Sequence, residues 1–168
     1  MFLSNYKKYP IGIDISDLNL KLAQLKKVGD KIKIQALGRY KLPPCIIVNG
    51  EIKDKQTLIE AINKLMQKPK FGSIGSREVV ASLPETKTYI KLIEVEKSPN
   101  NLKEIIGAEI EKNIPLSVDE IFYDWQIINQ DELKYSVLFG AAPKSLVDQY
   151  TEIFIAANLS ICAYEIES

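Results

Sequence analysis

Tyr9-Pro-Ile-Gly-Ile-Asp-Ile-Ser-Asp-Leu-Asn-Leu-Lys-Leu-Ala-Gln-Leu25 reads as two strands joined by a tight polar turn. Ile11, Ile13 and Ile15 form a β-branched run that stops at Ser16-Asp17. Leu18, Leu20, Leu22 and Leu25 then restart an apolar pattern, with Asn19, Lys21 and Gln24 between them. Asp14 falls near the end of the first strand, aimed at the turn. A carboxylate in half-buried surroundings needs a partner, because an isolated charge there is costly. Two readings follow: a phosphate-facing loop of a nucleotide site, or an ordinary hairpin with a solvated aspartate. Spacing alone favours the hairpin.

Composition narrows the chemistry. The 168 residues carry 22 basic and 22 acidic side chains, which gives no basic excess for a nucleic-acid partner. Histidine is absent, so neither Ser-His-Asp or Cys-His nucleophilic catalysis nor a His-containing zinc site is available. Cys45 and Cys162 are too far apart in sequence for a metal-ligand pair on one turn and read as reduced thiols of a cytosolic protein. No apolar run approaches the length of a membrane span, and the first eight residues lack the apolar core of a signal peptide.

Outward from the opening hairpin, Gly29-Asp30 predicts a second turn and Ile32, Ile34, Ala36 and Leu37 a third strand, which completes an antiparallel meander. Leu42-Pro43-Pro44 stops it, and residues 45–53 read as a crossing loop with Gly50 at a turn. Asp54 caps a helix whose buried stripe is Leu58, Ala61, Ile62, Leu65 and Met66. Val79-Val80-Ala81-Ser82-Leu83 reads as a central strand covered on both faces. Strand-strand-strand-helix-strand is a mixed α/β order, not a doubly wound one.

From about Thr86 the pattern changes. Residues 89–96 alternate as a strand, and Ser98-Pro99 opens a helix with Leu102, Ile105, Ile106 and Ile110 inward. That helix ends at Asn113-Ile114-Pro115. Residues 121–128 and 135–142 pair as a hairpin around Asn129-Gln130-Asp131-Glu132. Glu104, Glu109 and Glu111 read as a solvated helix face rather than a metal or acid/base cluster. Pro143 starts an amphipathic helix with Leu146, Val147, Tyr150, Ile153, Phe154 and Ala157 inward and Asn158 as its left-handed cap. A last strand, residues 159–166, reads as core, and its position at the end points to a fragment of a longer or split protein.

The run from Ile11 to Leu22 resembles the first phosphate-loop motif of the actin-like superfamily, and most closely that of the PilM family of type IV pilus assembly, which is FtsA-like. Leu42-Pro-Pro44, Asn49-Gly-Glu-Ile52, Ala81-Ser-Leu-Pro84, Glu109-Ile-Glu-Lys-Asn-Ile-Pro115, Tyr123-Asp-Trp125, Ala141-Ala-Pro-Lys144 and Glu165-Ile-Glu-Ser168 match that family in order. None is specific alone; together they cover nearly the whole chain.

The resemblance implies an α/β, actin-like (RNase H-like) mixed sheet with flanking helices and an inserted small α+β subdomain. Residues 1–85 and 135–168 would be subdomain 1A and residues 86–134 subdomain 1C, with the second actin-like half absent from this chain. Relatives bind ATP between the halves. By that resemblance Asp14 would face Mg and the phosphates, Ser16, Asp17, Leu18 and Asn19 would cradle the phosphates, and Lys21 would add charge. Ser16 stands where relatives usually have glycine, and Asp17 puts a negative charge where a phosphate would sit. No catalytic residue is implied, and no tightly bound cofactor in this chain.

The family implies a cytoplasmic scaffold, peripheral at the inner membrane, that captures the N-terminal cytoplasmic tail of a PilN-like inner-membrane protein. Other platform proteins and the pilus motor ATPase are further implied partners. The tail would lie in a groove between 1A and 1C, with Ile90, Leu92, Ile106, Ile110, Ile114 and Pro115 as candidate contacts; the alternative for these residues is the core of 1C. The competing functions are an actin-like ATPase or nucleotide switch and the cytoplasmic domain of a GspL-like type II secretion protein.

Overall fold

The computed structural model describes residues 9–97 and 102–166. The expected Ser98-Pro99 helix start lies outside the described residues. Strands β1 (Ile11–Ser16), β2 (Asn19–Val28) and β3 (Lys31–Lys41) form the antiparallel meander, in the register Ile13↔Leu22 and Leu22↔Gly38. Period-2 alternation sends Ile11, Ile13, Ile15, Leu20 and Leu22 to one buried face. Gln24 shares that face at 2% exposure. It is fully engaged there: its amide donates to the Tyr9 carbonyl at 3.0 Å, and its oxygen accepts the Gly75 N–H at 2.8 Å.

The expected crossing loop contains a small hairpin, β4 (Ile47–Val48) and β5 (Glu51–Ile52), turned by Asn49-Gly50 with both φ positive. Helix α1 (Lys55–Gln67) follows its Asp54 cap and buries Leu58, Ala61, Ile62 and Leu65 against β2 and β3. Gly38 on β3 gives Leu65 the room to approach; a Cβ there would lie 2.6 Å from the Leu65 Cδ1. Next come the short β6 (Phe71–Gly72) and then β7 (Glu78–Leu83).

Strand β7 departs from expectation. It alternates, with Val79, Ala81 and Leu83 buried and Val80 and Ser82 half-exposed, so among the described residues one of its faces is buried and the other partly open. Helix α3 (Lys144–Ala156) leads to strand β11 (Ser160–Ile166), which completes the six-stranded sheet of order β11-β7-β1-β2-β3-β6. β1, β7 and β11 run parallel, and the meander pairs antiparallel. β11 is an edge strand with no fully buried residue, not the core strand its apolar pattern predicts. α3 ends as foreseen. Asn158 sits at φ 58°, the Leu159 N–H reaches the Phe154 carbonyl and the Asn158 N–H the Ile155 carbonyl, both at 2.9 Å.

The chain divides into two compact units, the described parts of Met1–Pro84 with Gln149–Glu167, and Glu85–Asp148. The second holds β8 (Tyr89–Glu96), α2 (Leu102–Asn113), β9 (Ile121–Gln130) and β10 (Lys134–Pro143). Its antiparallel sheet runs β8-β10-β9. Here the boundary expected at residue 134 moves to 148. β10 is the central strand of this smaller sheet, hydrogen-bonded on both sides, and cannot be assigned to the first unit. Ile106 and Ile110 pack with Ile93, Val137 and Phe139 in a core of its own.

Candidate functional site

In the first unit, the sheet face opposite the buried isoleucines carries the residues singled out in the opening stretch. Asp14 and Lys21 are directly paired across β1 and β2, and the Lys21 Nζ donates to the Asp14 Oδ2 at 2.6 Å. The Ser82 hydroxyl on β7 donates to the other carboxylate oxygen at 3.1 Å. The Lys21 side chain is more than half exposed, so water screens the pair and it adds little stability. Next to it, the Arg39 Nε and Nη2 donate to the Asn19 Oδ1 at 3.1 and 3.0 Å. Asp14, Lys21, Arg39 and Ser82 rim a shallow concavity of about 640 Å³ floored by Gly12, Ala23 and Val80.

The turn itself holds a different arrangement from a phosphate cradle. None of residues 16–19 has a positive φ, so the turn lacks the alternating left-handed backbone of an anion-binding nest. The Ser16 hydroxyl donates within the turn, to the Asn19 carbonyl at 3.2 Å, and the Leu18 carbonyl accepts the Leu42 N–H at 2.9 Å. Asp17 turns its carboxylate to the β4–β5 hairpin, accepting the Asn49 N–H at 2.8 Å and the Gly50 N–H at 3.1 Å. Two successive backbone N–H groups thus already hold an anion, and it belongs to the protein. The Tyr150 hydroxyl of α3 donates to the Gly50 carbonyl at 3.2 Å; burial, and then the Asp17 charge, push its pKa up. Asp17 is therefore turned to the protein's own amides in the β4–β5 hairpin.

Asn49, Gly50 and Tyr150 were not among the residues singled out as a site. The Asn-Gly dipeptide between Ile47-Val48 and Ile52 was the available signal, because both central residues of a tight hairpin turn need positive φ. Among the described residues no cluster of three or more acidic or cysteine side chains could hold a metal ion. Both cysteines are free and exposed.

In the second unit the six proposed peptide-groove residues separate. Ile106, Ile110 and Ile114 are buried in the core of that unit, so they do not line an open groove; the i, i+4, i+8 stripe of α2 packs inward. Ile90 and Leu92 point the other way along β8, at 40% and 60% exposure. Leu92 pairs directly with Leu138 of β10, itself exposed, so an apolar pair spans β8 and β10 on the exposed face of the sheet, with Gln126 next in the row on β9. Pro115 is exposed as well. β8 is an edge strand in this sheet.

The family model for the type IV pilus assembly protein PilM matches residues 12–168. The chain belongs to the PilM family. A chain of a solved PilM–PilN type IV pilus biogenesis complex superposes with a TM-score of 0.80 at 22% identity, covering 94% of this chain and 47% of that one. The cytoplasmic domain of EpsL, an inner membrane component of the type II secretion system of Vibrio cholerae, matches at TM-score 0.50 and 11% identity, over 92% of this chain and 56% of that one. This PilM-family chain therefore spans about half the length of the structures it matches. Its fold, a mixed sheet with flanking helices, is shared with the chain of the PilM–PilN complex. No helix among the described residues is long and apolar enough to cross a membrane.

Proposed function

We propose that this chain is part of a scaffold of type IV pilus assembly that binds the N-terminal cytoplasmic tail of a PilN-like inner-membrane protein, and so works at the cytoplasmic side of that membrane. The observation that carries the reading is the family match over residues 12–168, joined to the likeness to a chain from a PilM–PilN complex. The outer face of the second unit suits the task. Ile90, Leu92 and Leu138 offer apolar anchor sites, and the edge strand β8 offers unpaired backbone groups to an extended peptide. The family match favours this reading over the type II secretion alternative.

The test is titration of a PilN-type N-terminal peptide into the isotope-labelled chain. Amide resonances of β8 and β10 should shift, and Leu92→Ser should weaken binding about ten-fold or more, as expected for loss of a buried apolar anchor. Shifts confined to other elements would overturn the assignment of the peptide to this face. A nucleotide switch is the competing reading. It would gain ground only from saturable Mg–ATP binding lost in Asp14→Ala; with residues 16–19 arranged as they are, none is expected of this chain.

A further inference from the structure

Past Gln24 on β2 and Ala36 on β3 the large sheet narrows to two strands. β1 makes its last pairing at Ile11↔Gln24 and β6 at Ala36↔Gly72. Residues 25–34 then pair only with one another: Leu25↔Ile34, Lys26↔Lys33, Lys27↔Ile32 and Val28↔Lys31, around a tip at Gly29 with φ 60°. Every residue from 25 to 34 is exposed. Because directly opposed residues share a face, the register sorts them. Leu25, Ile32 and Ile34 lie on one face with Lys27, and Lys26, Lys31 and Lys33 lie on the other with Val28.

This composition works against the ribbon in water. An isolated two-stranded hairpin is marginal, and like charges placed directly opposite, as at Lys26↔Lys33, repel. Four large apolar side chains remain exposed, Leu25, Val28, Ile32 and Ile34, with Ile32 at 63%. The chain as a whole is neutral, yet the ribbon carries four lysines against Asp30 alone. Among the described residues none of the four makes an ion pair. An environment both apolar and anionic would relieve each of these costs. The ribbon has no aromatic or arginine side chain on which nucleic-acid bases could stack. None of its residues lines the concavity beside Asp14, so it offers no socket there for a peptide's side chains.

We infer that the β2–β3 ribbon docks on the surface of an anionic lipid bilayer. Leu25, Ile32 and Ile34 seat at the boundary between headgroups and acyl chains, and the lysines lie within about 10 Å of the charged headgroups, inside the screening length. The ribbon belongs to the first unit and the proposed peptide face to the second, so this inference stands or falls independently of the PilN-like partner.

Co-sedimentation of the 168-residue chain with vesicles tests it, without any partner peptide. Vesicles of about 30% phosphatidylglycerol in phosphatidylcholine should bind the chain, and added salt should weaken the binding; phosphatidylcholine alone should not bind it. Each lysine near such a surface contributes about five-fold, so K26Q/K27Q/K31Q/K33Q should lower partitioning on the order of several hundred-fold. Ile32→Ser with Ile34→Ser should lower it about ten-fold while leaving the salt dependence in place. All six positions are exposed, so neither variant removes core packing. Equal binding to neutral vesicles, no binding to anionic ones, or insensitivity to the lysine substitutions would overturn the inference. Retention of polyglutamate by the chain without vesicle binding would replace the bilayer with an acidic protein surface.

Discussion

Asp17 accepts backbone N–H groups from residues 49 and 50, so one carboxylate ties the first hairpin to the second. At this scale a residue's type was readable and its partner was not. The sequence marks Asp17 as a charge in a tight turn, and nothing local says that Asn49 and Gly50 will present two amide hydrogens to it. Charge-assisted hydrogen bonds of this kind hold more firmly than neutral ones. Asp17→Ala should therefore destabilise the chain by about 1–2 kcal/mol, read as a lower urea midpoint at unchanged slope, because two amides lose their acceptor. Asp17→Asn should fall between the two, since its carbonyl can still accept one hydrogen bond. Asp14 shows the same limit. Neither of its partners was named by the sequence: Lys21 lies opposite it in the β1–β2 register, and Ser82 is on a strand 68 residues away.

Among the elements, helix α1 was legible in all but one residue of its stripe: Met66, expected inward, is only partly buried. Asp54 caps it as its position implies: the Thr57 N–H donates to one carboxylate oxygen at 3.0 Å and the Thr57 hydroxyl to the other at 2.7 Å. Those bonds, the backbone one first, hold the Asp54 pKa below the ordinary 3.8. A carboxyl whose pKa is lower in the folded chain than in the unfolded one stabilises above the unfolded value, and that contribution is lost as pH falls through the folded value. The Tm gap between the native chain and Asp54→Ala should thus stay constant from neutral pH down to about 4 and narrow below it. A gap that widened under acid would contradict the cap. Strands were harder to read. The run Val79-Val80-Ala81-Ser82-Leu83 is apolar enough for burial on both sides, yet burial is conferred by neighbours, and Val80 and Ser82 on one face of β7 are left only partly buried. β11 likewise has a core-like pattern and an edge position, because strand order is set by parallel pairing to β7 and not by its own composition.

For the whole molecule, the two units should behave as separate cooperative blocks. Phe139 and Phe154 are each fully buried, one in each unit, and Phe→Ala at such sites costs about 3–5 kcal/mol. Native-state hydrogen exchange should show Phe139→Ala lowering protection chiefly in β8, α2, β9 and β10, and Phe154→Ala chiefly in β1, β2, β7 and α1. A uniform loss across the chain from either substitution would contradict the division. By itself the amino-acid sequence determined the types of the longer elements but not the β4–β5 hairpin, and with them the opening meander, the caps at Asp54 and Asn158, and the ordered motifs that resemble the PilM family; all of these depend on periodicity and turn chemistry acting within a few residues. Only the tertiary structure decided that β10 closes the second sheet rather than the first. It also decided that Ile106, Ile110 and Ile114 are core, that Asp17 is taken up by a neighbouring hairpin, and that residues 25–34 stand out as a bare ribbon. Each of those depends on which strand or turn lies alongside, and long-range pairing is set by the packing of the whole chain rather than by local pattern.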